Sequence, residues 1–131
     1  MTVSGAFDGM RVLVVEDGAE MREFLTRVLQ FEGATVVSAH DGASALPHLS
    51  SVDGFDLITL DLGLPDMTGW DLLAEIRSCD PPEHQCPVVI LSVVQDGATQ
   101  SRAAELGAGF VEKPVGAREL VEKLSAFLNR Q

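Results

Sequence analysis

Five short apolar runs rich in β-branched residues punctuate the chain, and each is followed by a stretch that reads as helix. The runs cover residues 10–15, 35–38, 55–60, 87–92 and 110–111. Runs that are apolar at consecutive positions, rather than alternate ones, read as strands buried on both faces. A chain that repeats strand then helix five times is expected to build a parallel sheet. Each helix carries the chain back to start the next strand, and right-handed crossovers place helices on both faces. The expected fold class is α/β.

The helices follow from spacing. Met21, Phe24, Leu25, Val28 and Leu29 form one stripe, and Gly33 stops it. Residues 41–49 read as a helix opened by an Asp cap, but Pro47 lies inside it. A proline there removes one backbone bond and crowds the carbonyl of Ala43, so this helix is expected to bend or to start late. Residues 69–78 carry Trp70, Leu73 and Ile76. A weaker helix over 99–106 offers an alanine face (Ala98, Ala103, Ala104), so light packing and the greatest mobility are expected of it. The fifth presents Ala117, Leu120, Val121, Leu124, Phe127 and Leu128. Residues 1–9 have no periodicity and read as a flexible leader, with one domain over 10–131.

A length of 131 residues suits a single core. No apolar run approaches the roughly 20 residues of a membrane span, and a signal peptide pattern is missing, so a cytoplasmic location is expected. The net charge of −11 repels nucleic acid phosphates and anionic lipid, which argues against direct contact with either. Cys79 and Cys86, with Asp80 and His84 between them, lack the paired spacing of structural zinc sites. Reduced thiols at Cys79 and Cys86 in a surface loop are expected instead, and His40, His48 and His84 read as surface histidines.

Strands of a parallel sheet deliver their carboxyl ends to one rim. The first strand brings Glu16 and Asp17, the third Asp61, the fourth Ser92 and the fifth Lys113. Singly, each has a plain reading as a cap, a surface charge or a strand-end hydroxyl. Together, three carboxylates repel one another unless a pKa rises, a cation sits among them, or a metal binds. Lys113 supplies one charge against three. A hard divalent cation with oxygen ligands, Mg2+, fits the remainder. Carboxylate, metal, ammonium and hydroxyl are also the groups that receive a phosphoryl group.

The motifs Val-Leu-Val-Val-Glu-Asp at 12–17, Asp-Leu-Gly-Leu-Pro-Asp-Met-Thr-Gly at 61–69, Leu-Ser at 91–92 and Lys-Pro at 113–114 occur in this order on the expected strand ends. In these the chain resembles the receiver domain of two-component response regulators, over residues 10–129. The resemblance implies a (βα)5 doubly wound, flavodoxin-like sheet of strand order 2-1-3-4-5. It implies that Asp61 accepts a phosphoryl group from a histidine kinase or a histidine phosphotransfer protein, as a signalling switch rather than an enzyme. Asp17, Asp61 and the Gly63 backbone carbonyl would ligate Mg2+ (or Mn2+), with Glu16 acting through water. Lys113 would pair with phosphoryl oxygens, Lys113–Pro114 would be cis, and Ser92 and Phe110 would carry the switch. The output would be a face made by the fourth helix, fifth strand and fifth helix, which binds a downstream protein; a homodimer is compatible with this.

Four departures from the family pattern stand out. Phe110 replaces the commoner tyrosine, the turn Gly107-Ala108-Gly109 is one residue short, Val93 takes a place usually held by a small residue, and Pro47 interrupts the second helix. Gly63 and Val94 flank the acceptor without a polar side chain to orient water, so slow dephosphorylation is expected. Two other readings compete: a degenerate receiver used only for protein binding, and an aspartate-nucleophile phosphatase. The second wants an acid two residues after the nucleophile, where Gly63 stands. The lead-in Phe7-Asp8-Gly9-Met10-Arg11 resembles the joint before receivers of hybrid histidine kinases. A stand-alone receiver and a receiver within a larger protein remain equal options, since 131 residues leave no room for an output domain.

Overall fold

All five apolar runs are strands in the computed structural model, which describes residues 5–49, 54–79, 86–93 and 96–130. In chain order the elements are β1 (Arg11–Val15), α1 (Ala19–Phe31), β2 (Thr35–Ala39), α2 (Gly42–Leu49) and β3 (Leu57–Asp61). They continue with α3 (Gly69–Cys79), β4 (Val88–Ser92), α4 (Gly97–Glu105), β5 (Gly109–Glu112) and α5 (Ala117–Leu128). Every pairing is parallel and the sheet order is β2-β1-β3-β4-β5. The fold is therefore the doubly wound, flavodoxin-like α/β sheet. Among the described residues, no helix is long and apolar enough to cross a membrane.

The register explains how a two-faced core arises from consecutive apolar positions. Side chains alternate across the sheet, so neighbours in one run feed opposite faces. Leu13, Val15, Ile58, Leu60, Val88 and Ile90 pack with Leu72, Leu73 and Ile76 of α3, Ala45 of α2 and Ala103 of α4. Val12, Val14, Leu57, Val89, Leu91 and Val111 pack with Leu25 and Leu29 of α1 and Leu120 and Leu124 of α5. β3 and β4 are buried along their whole length, which places Asp61 at the end of a strand with no solvent-facing side.

Several expectations are corrected by packing. Part of the segment read as a leader joins the core: Phe7 is fully buried and its N–H donates to Glu32 O (2.9 Å). α2 does not start late. Asp41 Oδ1 accepts from Ser44 N–H (2.7 Å), the Asp41 N–H donates to Ser44 Oγ (3.2 Å), and the helix runs from Gly42 through Pro47 to Leu49. α4 starts two residues before the expected Thr99, because Asp96 caps it by accepting from Thr99 N–H (2.7 Å). On its alanine face only Ala103 is buried; Ala98 and Ala104 are exposed, as is Ala117 of α5. Cys86 is a half-buried thiol that donates to Phe55 O (3.3 Å), not a surface-loop cysteine. His40 is exposed, whereas His48 is half-buried with its ring edge-on to Phe55. The Cys79 side chain, His84, the loop over 80–85 and Val94 lie outside the described residues.

Candidate functional site

The rim at the carboxyl ends of the strands is assembled by register. Val15 pairs with Leu60 and Asp61 with Leu91, so the turn after β1 stands beside Asp61. Ser92 pairs with Glu112, and the Lys113 N–H donates to Ser92 O (2.8 Å), which fixes Lys113 one step beyond β5. The Lys113–Pro114 peptide bond is cis.

Carboxylate oxygens of Glu16, Asp17 and Asp61 lie within 4.8 Å of one another. Lys113 reaches into the cluster from β5. Its Nζ is 2.6 Å from Glu16 Oε1 and 3.6 Å from Asp61 Oδ1. Glu16 is 3% exposed, and it also accepts from Gly18 N–H (3.2 Å). Burial, the largest influence, raises the Glu16 carboxyl above its ordinary value. The bonds from Lys113 and Gly18 oppose that shift, and the neighbouring Asp61 adds to it. Two remedies for crowded acids thus act together, a raised pKa and a cation. They do not suffice when all three acids are ionised, because one ammonium leaves two negative charges over. One divalent cation cancels that remainder, and an all-oxygen donor set suits Mg2+. Asp17 is exposed, so the cluster opens to solvent on its side.

The segment after Asp61 is tightly turned. Gly69 N–H donates to Leu62 O (2.9 Å), and Gly63 and Thr68 form an antiparallel bridge. A Cβ at Gly69 would stand 2.6 Å from the Asp61 carbonyl oxygen, so only glycine lets α3 begin this close to the strand end. Thr68 caps α3 by accepting from Asp71 N–H at Oγ1 (3.1 Å). Gly63 N–H donates to Asp61 Oδ1 (3.2 Å), and the space where a side chain at 63 would project is open.

Of the residues singled out in the sequence, Glu16, Asp17, Asp61 and Lys113 come together, with Gly63 adjacent. Ser92 is buried at the end of the neighbouring strand. Phe110 pairs with Ile90 inside β5 and packs half-buried against the core over α2–α4. Val93 is 68% exposed.

Two contributors escaped the sequence reading. Arg22 Nη1 donates back to the carbonyls of Glu16 (3.0 Å) and Asp17 (3.3 Å), clamping the acidic turn. A long cation one turn into the helix after an acidic turn is the only sequence signal for it. Asp66 Oδ1 and Oδ2 accept from Gly42 N–H and Ala43 N–H (both 2.9 Å), a contact between distant segments that no local pattern encodes.

Comparison with known proteins places this geometry. The family described as response regulator receiver domain matches residues 12–125. The transcriptional regulatory protein CpxR of Klebsiella pneumoniae is 37% identical over 121 residues, covering 92% of this chain and 50% of that protein. The response regulator MprA of Mycobacterium avium is 36% identical over 124 residues, covering 92% and 52%. The chain spans about half the length of the curated relatives it matches. Among solved structures, the non-phosphorylated HemR receiver domain of Leptospira biflexa superposes with a TM-score of 0.81 at 31% identity, covering 91% of this chain and 94% of that one. The chemotaxis protein CheY4 of Vibrio cholerae gives 0.81 at 27% identity, covering 90% and 98%. Such a domain is a phosphoacceptor signalling module of two-component systems rather than a classical enzyme. With the sheet order, the acidic cluster and these matches in agreement, the chain belongs to the response regulator receiver domain family.

Proposed function

We propose that Asp61 accepts a phosphoryl group from a phosphohistidine, carried by a histidine kinase or a histidine phosphotransfer protein, and that this operates a signalling switch. The observation that carries the reading is the placement of the Asp61 carboxylate, which ends a buried strand beside Glu16, Asp17 and Lys113. An Asp61 carboxylate oxygen attacks phosphorus in line. The new P–O bond makes an acyl phosphate, and the donor's P–N bond breaks with its electron pair returning to the imidazole nitrogen.

The donor set fits Mg2+, with Mn2+ as a substitute. Asp17, Asp61 and the Gly63 carbonyl would hold it, and Glu16 would act through water. The ion would supply charge neutralisation for phosphoryl oxygens. Lys113, paired with Glu16 at 2.6 Å here, would turn its ammonium to a phosphoryl oxygen, and Ser92 would donate its hydroxyl there. Rearrangement at Ser92 and Phe110 would pass to the face of α4, β5 and α5, where a downstream protein binds. Gly63 offers no polar side chain to orient an attacking water, which supports a long-lived phosphoryl group.

The test is labelling by a purified kinase or by acetyl phosphate. Wild type should take up label in Mg2+ and lose uptake in chelator, and Asp61→Asn should take up none. Label that persists in Asp61→Asn would refute the reading. A wild-type chain that no phosphodonor labels would favour a binding module without phosphorylation.

A further inference from the structure

The loop between β3 and α3 is closed at its base by the Gly69–Leu62 hydrogen bond and the Gly63–Thr68 bridge. Its tip is held somewhere else, on the start of α2. Asp66 carries both carboxylate oxygens to α2, one to Gly42 N–H and one to Ala43 N–H, each at 2.9 Å. The first turn of a helix leaves its amides without internal partners and favours negative charge. α2 already has a cap of its own, since Asp41 Oδ1 accepts from Ser44 N–H (2.7 Å). Asp66 is therefore not needed to cap α2; it occupies the two amides that the cap leaves over. Beside it, Met67 lies so close to Gly42 that a Cβ there would overlap the thioether, and Leu64 is buried in the core over α2–α4.

We propose that Asp66 is a positioning residue: its two bonds to α2 tether the tip of the loop over residues 62–69 and so fix the wall of the site beside Asp61. Those base contacts hold the two ends of the loop, whereas its tip is held from outside, and without that anchor the segment holding Gly63 would sample other conformations. Under the function proposed above, on which this step rests, the Gly63 carbonyl is a ligand for Mg2+. A loosened tip then weakens metal uptake although Asp66 never touches the ion. α2 becomes the support for the acceptor loop, and Gly42 is required because the tether brings Met67 onto it.

The test compares the full chain with Asp66→Ala, Asp66→Asn and Asp41→Ala by two readouts. One is amide hydrogen exchange in the metal-free protein. The other is Mg2+ affinity by calorimetry, with Trp70 fluorescence as a check. Asp66→Ala should speed exchange at Gly42, Ala43 and Gly69 and weaken Mg2+ binding by roughly three- to tenfold. Asp66→Asn keeps one acceptor oxygen and should recover part of both effects. Asp41→Ala removes the helix's own cap and should speed exchange at Ser44, while Gly69 exchange and Mg2+ affinity stay at wild-type values. The proposal is overturned if Asp66→Ala leaves Gly69 exchange and Mg2+ affinity unchanged. It is equally overturned if Asp41→Ala reproduces both effects, since the stability of α2 would then explain them. A wild-type chain that takes up no Mg2+ would sink the metal reading instead, and faster Gly69 exchange in Asp66→Ala would still uphold the tether.

Discussion

Glu16 shows why a cluster of this kind does not arise by accident of packing. Its carboxyl is 3% exposed, and its pKa is raised first by that burial and further by the neighbouring Asp61. Lys113 offsets only part of that rise. Removing one acid should therefore relieve the fold. Asp61→Asn is expected to be more stable than wild type by about 1 kcal/mol in metal-free buffer, read as a raised denaturation midpoint. A clear loss of stability would mean the acids do not repel as argued. Thr59, two residues earlier on β3, is fully buried with a hydroxyl that has no hydrogen-bond partner among the described residues. It lies between Val14 and Val89 in the sheet register. Thr59→Val should gain roughly 1 kcal/mol, because the lost hydroxyl is one that folding leaves unsatisfied. Destabilisation by a similar amount would imply that the hydroxyl finds a partner in solution.

At the scale of elements, α2 and α4 share a vulnerability, since each begins on an aspartate cap. The Ser44 hydroxyl and amide hold Asp41 below its ordinary 3.8, and the Thr99 amide does the same for Asp96. A carboxyl depressed in the folded state contributes stability above its unfolded pKa and loses it as pH falls through the folded value. The Ser44 amide of α2 and the Thr99 amide of α4 should therefore lose exchange protection as pH drops below about 4, before the Asp71 amide of α3, whose acceptor is the Thr68 hydroxyl. Simultaneous loss in all three helices would contradict this. The same elements show what a sequence can disclose. Strands β1, β3 and β4 were legible because their composition leaves no solvent face to assign. α4 was legible as a helix but not at its start, because the Asp96 cap that begins it at Gly97 is recognised only from the Thr99 amide bonded to Asp96. The carboxylates were placed from strand ends alone. Asp66, in contrast, joins two segments whose sequences say nothing of each other.

For the molecule as a whole, a parallel sheet with helices on both faces makes one rim and two cores. The core under α1 and α5 extends beyond the expected domain start, since Phe7 is fully buried within it. Phe7→Ala should cost about 3 kcal/mol in unfolding free energy, the scale of a large buried aromatic truncated to a methyl group. A loss below about 0.5 kcal/mol would place Phe7 outside the folding unit. Arg102 stacks on Trp70 at 4.4 Å, joining α4 to α3 where α4 itself buries only Ala103.

Under the proposed function one carboxylate, Asp61, takes the phosphoryl group. Borohydride reduces an acyl phosphate to an alcohol while sparing free carboxylates, so the acceptor can be read directly by mass spectrometry of peptides. After treatment with acetyl phosphate in Mg2+, reduction should convert position 61 to homoserine and leave Glu16, Asp17 and Asp66 intact. Reduction found at another acid, with Asp61 unchanged, would contradict the account.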